Sequence, residues 1–156
     1  MKSKKIILLL NAIFLFSFAN AQYKKADSTS IAKIVKSLLA ICKNVDFADT
    51  NTTKLGTFYK AAQHIIYQGN DEKRKWKSFA NYRDAEDKKG VDQVCTRINE
   101  SVNRDSSYTI VKYFTEKESE GIWHILMVSY KKKGIEKKSA FAFLKIGNRF
   151  GLGDID

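Results

Sequence analysis

Proline is absent from this 156-residue sequence, glycine occurs only 8 times and cysteine only twice. A collagen-like chain needs glycine at every third position, and a small disulfide scaffold needs many cysteines, so both classes are excluded. Acidic residues are also scarce, since 17 Asp and Glu stand against 28 Lys and Arg and leave a formal net charge of +11. The apolar fraction of 44 % is that of a folding globular protein and excludes disorder.

Residues 1–21 have the three parts of a secretory signal peptide. Lys2, Lys4 and Lys5 give a positive start, residues 6–18 form an apolar run, and residues 19–21 (Ala-Asn-Ala) match a small-residue cleavage site. The run is too short to span a bilayer as a helix, and no second long run follows, so no membrane span is predicted. We expect export to the periplasm or the extracellular space, with residues 22–156 forming a single domain.

The two cysteines, Cys42 and Cys95, both lie in the expected mature part. Disulfides persist in exported proteins, which makes this pair a disulfide candidate. A bridge would close a loop of roughly 50 residues and would stabilise the fold by about 4 kcal/mol if the effect is mainly on the entropy of the unfolded chain. The alternative is a pair of buried thiols, because free cysteine often packs as a small hydrophobic residue.

Helices are predicted over the first part of the mature chain, about residues 27–104. Apolar residues at helical spacing predict an amphipathic helix over residues 27–42 and a second helix over residues 58–66. Residues 71–84 are interpreted as a weak helix or an ordered loop. A third helix is predicted over residues 91–102, with a start as early as Asp84.

The last third of the chain is predicted to be a sheet, because the spacing of apolar residues changes there to strict alternation. β-branched and aromatic residues dominate three runs, at residues 108–116, 122–131 and 135–146, and a short closing strand ends near Asp156. Short loops between consecutive strands make them antiparallel. The sequence therefore predicts an α+β fold in which N-terminal helices pack on a curved antiparallel sheet of three to four consecutive strands, about residues 107–156.

The faces of this sheet depend on the loop at residues 132–134. A three-residue loop would pair Lys131 with Ile135. One face would then carry a ligand pocket under the helices, lined by Trp123, Ile125, Met127, Phe141 and Phe143. The opposite face, too apolar to be left in water, would carry a homodimer interface made of His124, Leu126, Val128, Tyr130, Ala140 and Ala142.

The layout resembles that of the nuclear transport factor 2-like superfamily, which includes ketosteroid isomerase-like and SnoaL-like domains. The resemblance lies in the order of helices and long antiparallel strands and in the closing strand pair at residues 141–150 (Phe-Ala-Phe-Leu-Lys-Ile-Gly-Asn-Arg-Phe). Cystatin-like folds are the second choice. The resemblance implies a cone with an apolar pocket between sheet and helices, dimerisation through the outer sheet face, and a function that is isomerase-like, dehydratase-like or not catalytic at all.

Few residues suggest catalysis. A proton-transferring isomerase needs a base inside the pocket, and His124 is the better-placed candidate, although the expected register directs it away from that pocket. His64 lies off its helical stripe and is interpreted as a surface histidine. Acidic residues cluster at turns and helix starts, where capping explains them. No serine-hydrolase motif, metal-ligand spacing or phosphate-binding glycine loop occurs, so no catalytic residue, metal or cofactor is predicted.

The basic excess is concentrated at residues 73–77, beside Trp76 and Phe79, and in the hairpin at residues 131–138. Lysines mixed with aromatics suit single-stranded nucleic acid, but export argues against nucleic acid as a partner. Weak, salt-sensitive contact with an anionic surface is compatible with this charge. The alternative is that the hairpin lysines keep strand ends soluble and block edge pairing.

These features together favour an exported, non-enzymatic binding or interaction domain that takes a small apolar or amphipathic ligand between sheet and helices. One alternative is an isomerase- or dehydratase-like enzyme in the same fold, with His124 or a carboxylate as its base. A second alternative is an envelope interaction protein that uses its basic surface.

Overall fold

A computed structural model describes residues 25–43, 56, 59–66, 78–102 and 107–156. The expected signal peptide and the basic segment at residues 73–77 lie outside the described residues. The chain divides into two compact units, residues 1–30 and 31–156. In the first unit, residues 25–30 are helical, and the hydroxyls of Ser28 and Thr29 donate to the carbonyl of Lys25. The four strands and the hydrophobic core belong to the second unit.

The fold is α+β, as the sequence predicts, with helices packed on a curved four-stranded antiparallel sheet. The strands follow one another in space as they do along the chain. The elements are α1 (residues 25–43), the short helix α2 (residues 59–62), α3 (Ala85–Glu100), β1 (Tyr108–Glu118), β2 (Gly121–Lys132), β3 (Ile135–Ile146) and β4 (Arg149–Ile155).

Helix α3 begins immediately after Asp84, at the early limit that the sequence allows. The Asp84 carboxylate accepts hydrogen bonds from the backbone N–H groups of Glu86 and Asp87, each at 3.0 Å, and so satisfies donors that the first helical turn leaves free. These two acidic residues also suit the positive end of the helix dipole. The buried Asp87 accepts in turn from the Asn81 backbone N–H at 2.6 Å, which fixes the chain entering the helix.

The second predicted helix ends earlier than its apolar spacing suggests. The chain leaves the helical conformation after Ala62, and Ile65 and Ile66 are extended beside β4. The Ile66 N–H donates to the Leu152 carbonyl at 2.7 Å, and the Leu152 N–H donates to the His64 carbonyl at 2.8 Å. β-branched residues favour extended backbone, and the edge of β4 satisfies backbone groups that a frayed helix end would leave unpaired.

Cys42 in α1 and Cys95 in α3 form a disulfide, with their Cα atoms 4.9 Å apart. Both residues are fully buried, and the Asn99 side-chain amide donates to the Cys42 carbonyl at 2.8 Å. The bridge spans 53 positions of sequence and ties the two long helices together over the sheet.

The core lies between the helices and one face of the sheet. Its largest fully buried side chains come from every layer of the fold: Ile31, Leu38, Ile65, Ile98, Leu126, Phe141, Phe143 and Leu152. The sheet face that contributes to this core is called the inner face below, and the opposite one the outer face.

The register between β2 and β3 differs by one residue from the expected one. Lys132 pairs with Ile135, because the turn has two residues, Lys133 and Gly134, with φ angles of 54° and 78°. Positive φ at both central positions is the mark of the type I′ turn, whose twist matches that of the strands it joins. A one-residue change moves every side chain of one strand to the other face relative to its partner. Trp123 accordingly pairs with Leu144 and not with Phe143.

This register corrects the expected membership of both faces. The inner face carries His124, Leu126, Val128 and Tyr130 with Phe141 and Phe143, all of them buried. The outer face carries Trp123, Ile125 and Met127 with Ala140 and Ala142, all of them partly exposed. The residues expected to line one pocket, and those expected to form one dimer face, are therefore each divided between the two sides of the sheet.

Candidate functional site

The outer face of the sheet carries an apolar strip that runs across its three longest strands. Phe114 of β1 pairs with Ile125, and Ile125 pairs with Ala142, so these side chains form one row across the sheet. Leu144, which pairs with Trp123, lies on the same face and is buried. The strip proper consists of the partly exposed residues Phe114, Trp123, Ile125, Met127, Ala140 and Ala142. Every member is partly exposed, whereas the inner-face residues between them on β2 are buried.

Charge is unevenly distributed around this strip. Lys112 pairs with Met127 beside the strip, and Lys138 and Lys131 follow on the same face toward the β2–β3 turn. Glu136 lies among these lysines, and its carboxylate accepts a hydrogen bond from the Ser129 hydroxyl at 2.8 Å. Asp154 pairs with Ala142, and Asp156 exchanges backbone hydrogen bonds with Ala140, so their carboxylates also lie on the outer face. The three lysines therefore share this face with three carboxylates and lie toward the β2–β3 turn.

The opposite end of the outer face is closed by side chains from outside the sheet. The Arg149 guanidinium lies 4.2 Å from the centre of the Phe79 ring and donates to the Gln63 carbonyl. A Cβ atom on Gly151 would lie 2.4 Å from Cγ1 of Ile66 and 2.8 Å from Cε1 of Phe79. Only glycine therefore allows Ile66 and Phe79 to pack this closely against β4.

His124 lies on the inner face and is only 7 % exposed. Its Nδ1 is 2.7 Å from the Tyr113 hydroxyl, and its ring meets the edge of Phe150 with the ring centres 4.8 Å apart. The register expected from the sequence placed His124 on the outer face, so the structure corrects its position. A buried imidazole bonded to a phenol can exchange a proton with it, since each group both donates and accepts.

His64 is half-buried and is not the surface histidine that the sequence suggests. Burial lowers the pKa of its imidazole, and the positive charge of Arg149 lowers this pKa further. The ring is therefore neutral at physiological pH.

Among the acidic groups, Asp92 in α3 has a buried Oδ1 atom without a hydrogen-bond partner. Burial raises the pKa of this carboxyl, and the nearby Lys88 charge opposes that rise. The described residues contain no group of three or more His, Cys, Asp or Glu that could hold a metal ion. Nor is any helix in the described ranges long and apolar enough to cross a membrane.

Comparison with known proteins gives no relatives: no family model, no curated protein and no solved structure matches this chain. The α+β architecture by itself does not identify a superfamily, because many unrelated functions share such folds.

Sequence reasoning missed Phe114 and Tyr113. The alternating pattern predicts the strand that contains both residues. Whether Phe114 or Tyr113 points toward the core depends on the register of β1 with β2. A register irregularity between Ile110 and Lys112, which leaves Val111 unpaired, also shifts the alternation within β1. No residue type near Val111 signals that bulge.

Proposed function

We propose that this chain is an exported, non-enzymatic binding domain whose binding surface is the outer face of the sheet. The observation that carries the proposal is the apolar strip of the outer face, which Lys112, Lys131 and Lys138 border toward the β2–β3 turn. Export rests on the signal-peptide pattern of residues 1–21. The ligand is a small amphipathic anion with an acyl-like tail. We place the site on the outer face, and not in the expected pocket between sheet and helices, because Phe141 and Phe143 are fully buried in the core.

The polarity of the face supports an amphipathic ligand over a purely apolar one. A tail lying along β2 would cover Trp123, Ile125 and Met127 in turn and would remove apolar surface from water. Its anionic head would then lie beside Lys112 and Lys138, which are both exposed. Ammonium groups at the rim attract such a head without becoming buried, so the charge contact involves little desolvation.

The shape of the strip supports a single molecule in solution over a membrane surface. Side chains that insert into lipid protrude from their surroundings, whereas Trp123, Ile125 and Met127 are partly buried. Glu116 pairs with Trp123 on the outer face and would face the lipid headgroups of an anionic membrane. A single acyl chain avoids this carboxylate by lying along β2.

The test is binding of decanoate, below its micelle concentration, to protein purified from an exporting host. Trp123 fluorescence reports the site when Trp76 is replaced by Phe. A fully buried methylene contributes about 0.8 kcal/mol, and a flat face covers about half of each methylene. Shortening the ligand to octanoate should therefore weaken binding by about 0.8 kcal/mol, or about fourfold.

Two adjacent lysines give a matched pair of variants. Lys138→Glu reverses a charge on the outer face and should weaken decanoate binding, whereas Lys137→Glu makes the same change on the other side of β3 and should not. A neutral decyl glycoside should bind more weakly than decanoate. Equal effects of the two variants, or no binding of decanoate at millimolar concentration, would refute the proposal.

A proton-transfer enzyme is the second candidate, and the contact between Tyr113 and His124 favours it. A histidine held by a phenol in apolar surroundings is a suitable general base, and the pair lies beside the aromatic ring of Phe150. The test is deuterium exchange into the α-position of a cyclic ketone. His124→Gln should abolish any exchange, while His64→Gln should leave it unchanged. Absence of exchange in the wild-type protein would remove this candidate.

A further inference from the structure

Strand β1 is an open edge of the sheet. It pairs with β2 along one side, and in the described part of the chain no strand pairs with its other side. The far edge of the sheet differs, because Ile65 and Ile66 extend it beside β4. An 11-residue strand at the edge of the described sheet is a template for another strand.

The N-terminal half of β1 is unsuited to such pairing. The bulge at Val111 disrupts the ladder there, and bulges twist an edge strand away from incoming partners. Ile110 and Val111 are 43 % and 51 % exposed. Any added strand would therefore pair with the regular segment, residues 112–118.

This segment is complementary to itself. On the outer face it presents Lys112, Phe114 and Glu116, which pair on β2 with Met127, Ile125 and Trp123. A two-fold axis perpendicular to the sheet keeps the outer face of one copy beside the outer face of the other. Residues paired across that axis must therefore point to the same side of the sheet. In every allowed register, the axis then passes midway between one residue and the same residue of the partner.

One of these registers matches the charges and the aromatic side chain. With the axis at Phe114, this ring faces its own copy, and Lys112 of each chain faces the partner's Glu116. An axis at Tyr113 would instead place Lys112 opposite the partner's Phe114. An axis at Thr115 would place Glu116 opposite the partner's Phe114. Opposite charges and aromatic pairs directly across a sheet are stabilising. The Lys112 ammonium already lies 4.9 Å from the centre of the Phe114 ring in its own strand, so an axis at Tyr113 adds no new kind of contact for it. An axis at Thr115 places the Glu116 carboxylate beside a ring whose face is electron-rich.

We propose that two copies of this protein associate through antiparallel pairing of β1 with the partner's β1, with the two-fold axis at Phe114. The product is a continuous eight-stranded sheet that joins the apolar strips of the two outer faces at the Phe114 pair. Such an interface is isologous, so it closes at two copies and leaves no free β1 edge. It does not depend on ligand binding to the outer face.

Charge reversal tests this register directly. We expect sedimentation velocity to find dimers of the exported wild-type protein. Lys112→Glu and Glu116→Lys should each weaken the dimer at least tenfold, because each places like charges opposite each other. The double variant exchanges the two charges and should restore dimerisation. Lys117→Glu is the matched control, because Lys117 points to the other face, and its dimer should be unchanged.

A cross-link locates the axis. Paired residues of antiparallel strands have Cα atoms about 4.5–5.5 Å apart, within the range that disulfides span. Phe114→Cys should therefore form an intermolecular disulfide in air, whereas Lys117→Cys, whose two copies would lie about 20 Å apart, should not. A wild-type monomer at 100 μM would overturn the proposal. So would a dimer that persists in both single charge variants, or one cross-linked equally well by both cysteine variants.

Discussion

Gly151→Ala is expected to destabilise the protein, although the glycine has an ordinary backbone conformation. The new Cβ would lie 2.4 Å from Cγ1 and 2.8 Å from Cδ1 of Ile66, and 2.8 Å from Cε1 of Phe79. Carbon atoms prefer separations of about 3.5–4.0 Å, so the closest contact is about 1.1 Å too short. Ile66 is 2 % exposed, so its side chain is enclosed by neighbouring residues. Either Ile66 changes rotamer or its segment separates from β4.

Such overpacking destabilises the folded state by about 1–3 kcal/mol. Alanine also lowers the conformational entropy of the unfolded chain, which offsets about 0.4–1 kcal/mol of this loss. We expect a net loss of about 1–2 kcal/mol, measured as a lower midpoint in urea with an unchanged m-value. Gly56→Ala is the control, since a Cβ there meets no heavy atom within 4 Å. This control should be neutral or slightly stabilising, because Gly56 is helical.

A double-mutant cycle identifies the cause. In the Ile66→Ala background both clashing atoms of Ile66 are gone and only the contact with Phe79 remains, so Gly151→Ala should cost less there than in the wild-type protein. Unchanged stability of the single Gly151→Ala variant, or full additivity with Ile66→Ala, would refute the close packing of this segment on β4.

Three further predictions concern the helices and the titrating groups. Replacing both Cys42 and Cys95 by Ala should lower the free energy of unfolding by about 4 kcal/mol for a 53-residue separation, and alkylation of the unreduced wild-type protein should label neither cysteine. Because the folded pKa of His64 lies below 6.5, stability should fall as the pH drops below about 6.5, and His64→Gln should flatten that slope. Because the folded pKa of Asp92 is raised, its charge opposes folding above pH 3.8, so Asp92→Asn should raise the urea midpoint at pH 7 but not at pH 3.

Periodicity was sufficient to predict the two long helices and the four strands, but not the extended backbone of Ile65 and Ile66. The change from helical spacing to alternation places the sheet after residue 107, and β3 begins and ends at the predicted residues, 135 and 146. Helix α3 also follows from local chemistry, because an aspartate before an acidic first turn is a strong helix start. These features depend on residues that are close together along the chain, which is why they can be predicted from a single sequence.

The residues of the outer face could not be predicted from the hydrophobic pattern, because β2 is apolar on both faces. Trp123, Ile125 and Met127 alternate with Leu126 and Val128, so the hydrophobic pattern does not decide which set packs under the helices. Register is well specified by pattern only where one face is clearly polar. Here the turn decides it.

The assignment of the outer face therefore depends on the turn at Lys133, and a substitution there tests it. Lys133 has a φ of 54°, a left-handed conformation that is unfavourable for lysine but tolerated by asparagine. Lys133→Asn should stabilise the protein by up to about 1 kcal/mol in this two-residue turn, and Lys133→Gln, which has no such preference, should not. In the alternative three-residue loop, residue 133 has negative φ and the two variants should be equally stable. Equal stability would return Trp123, Ile125 and Met127 to the helix-covered face and would remove the basis of the proposed ligand surface.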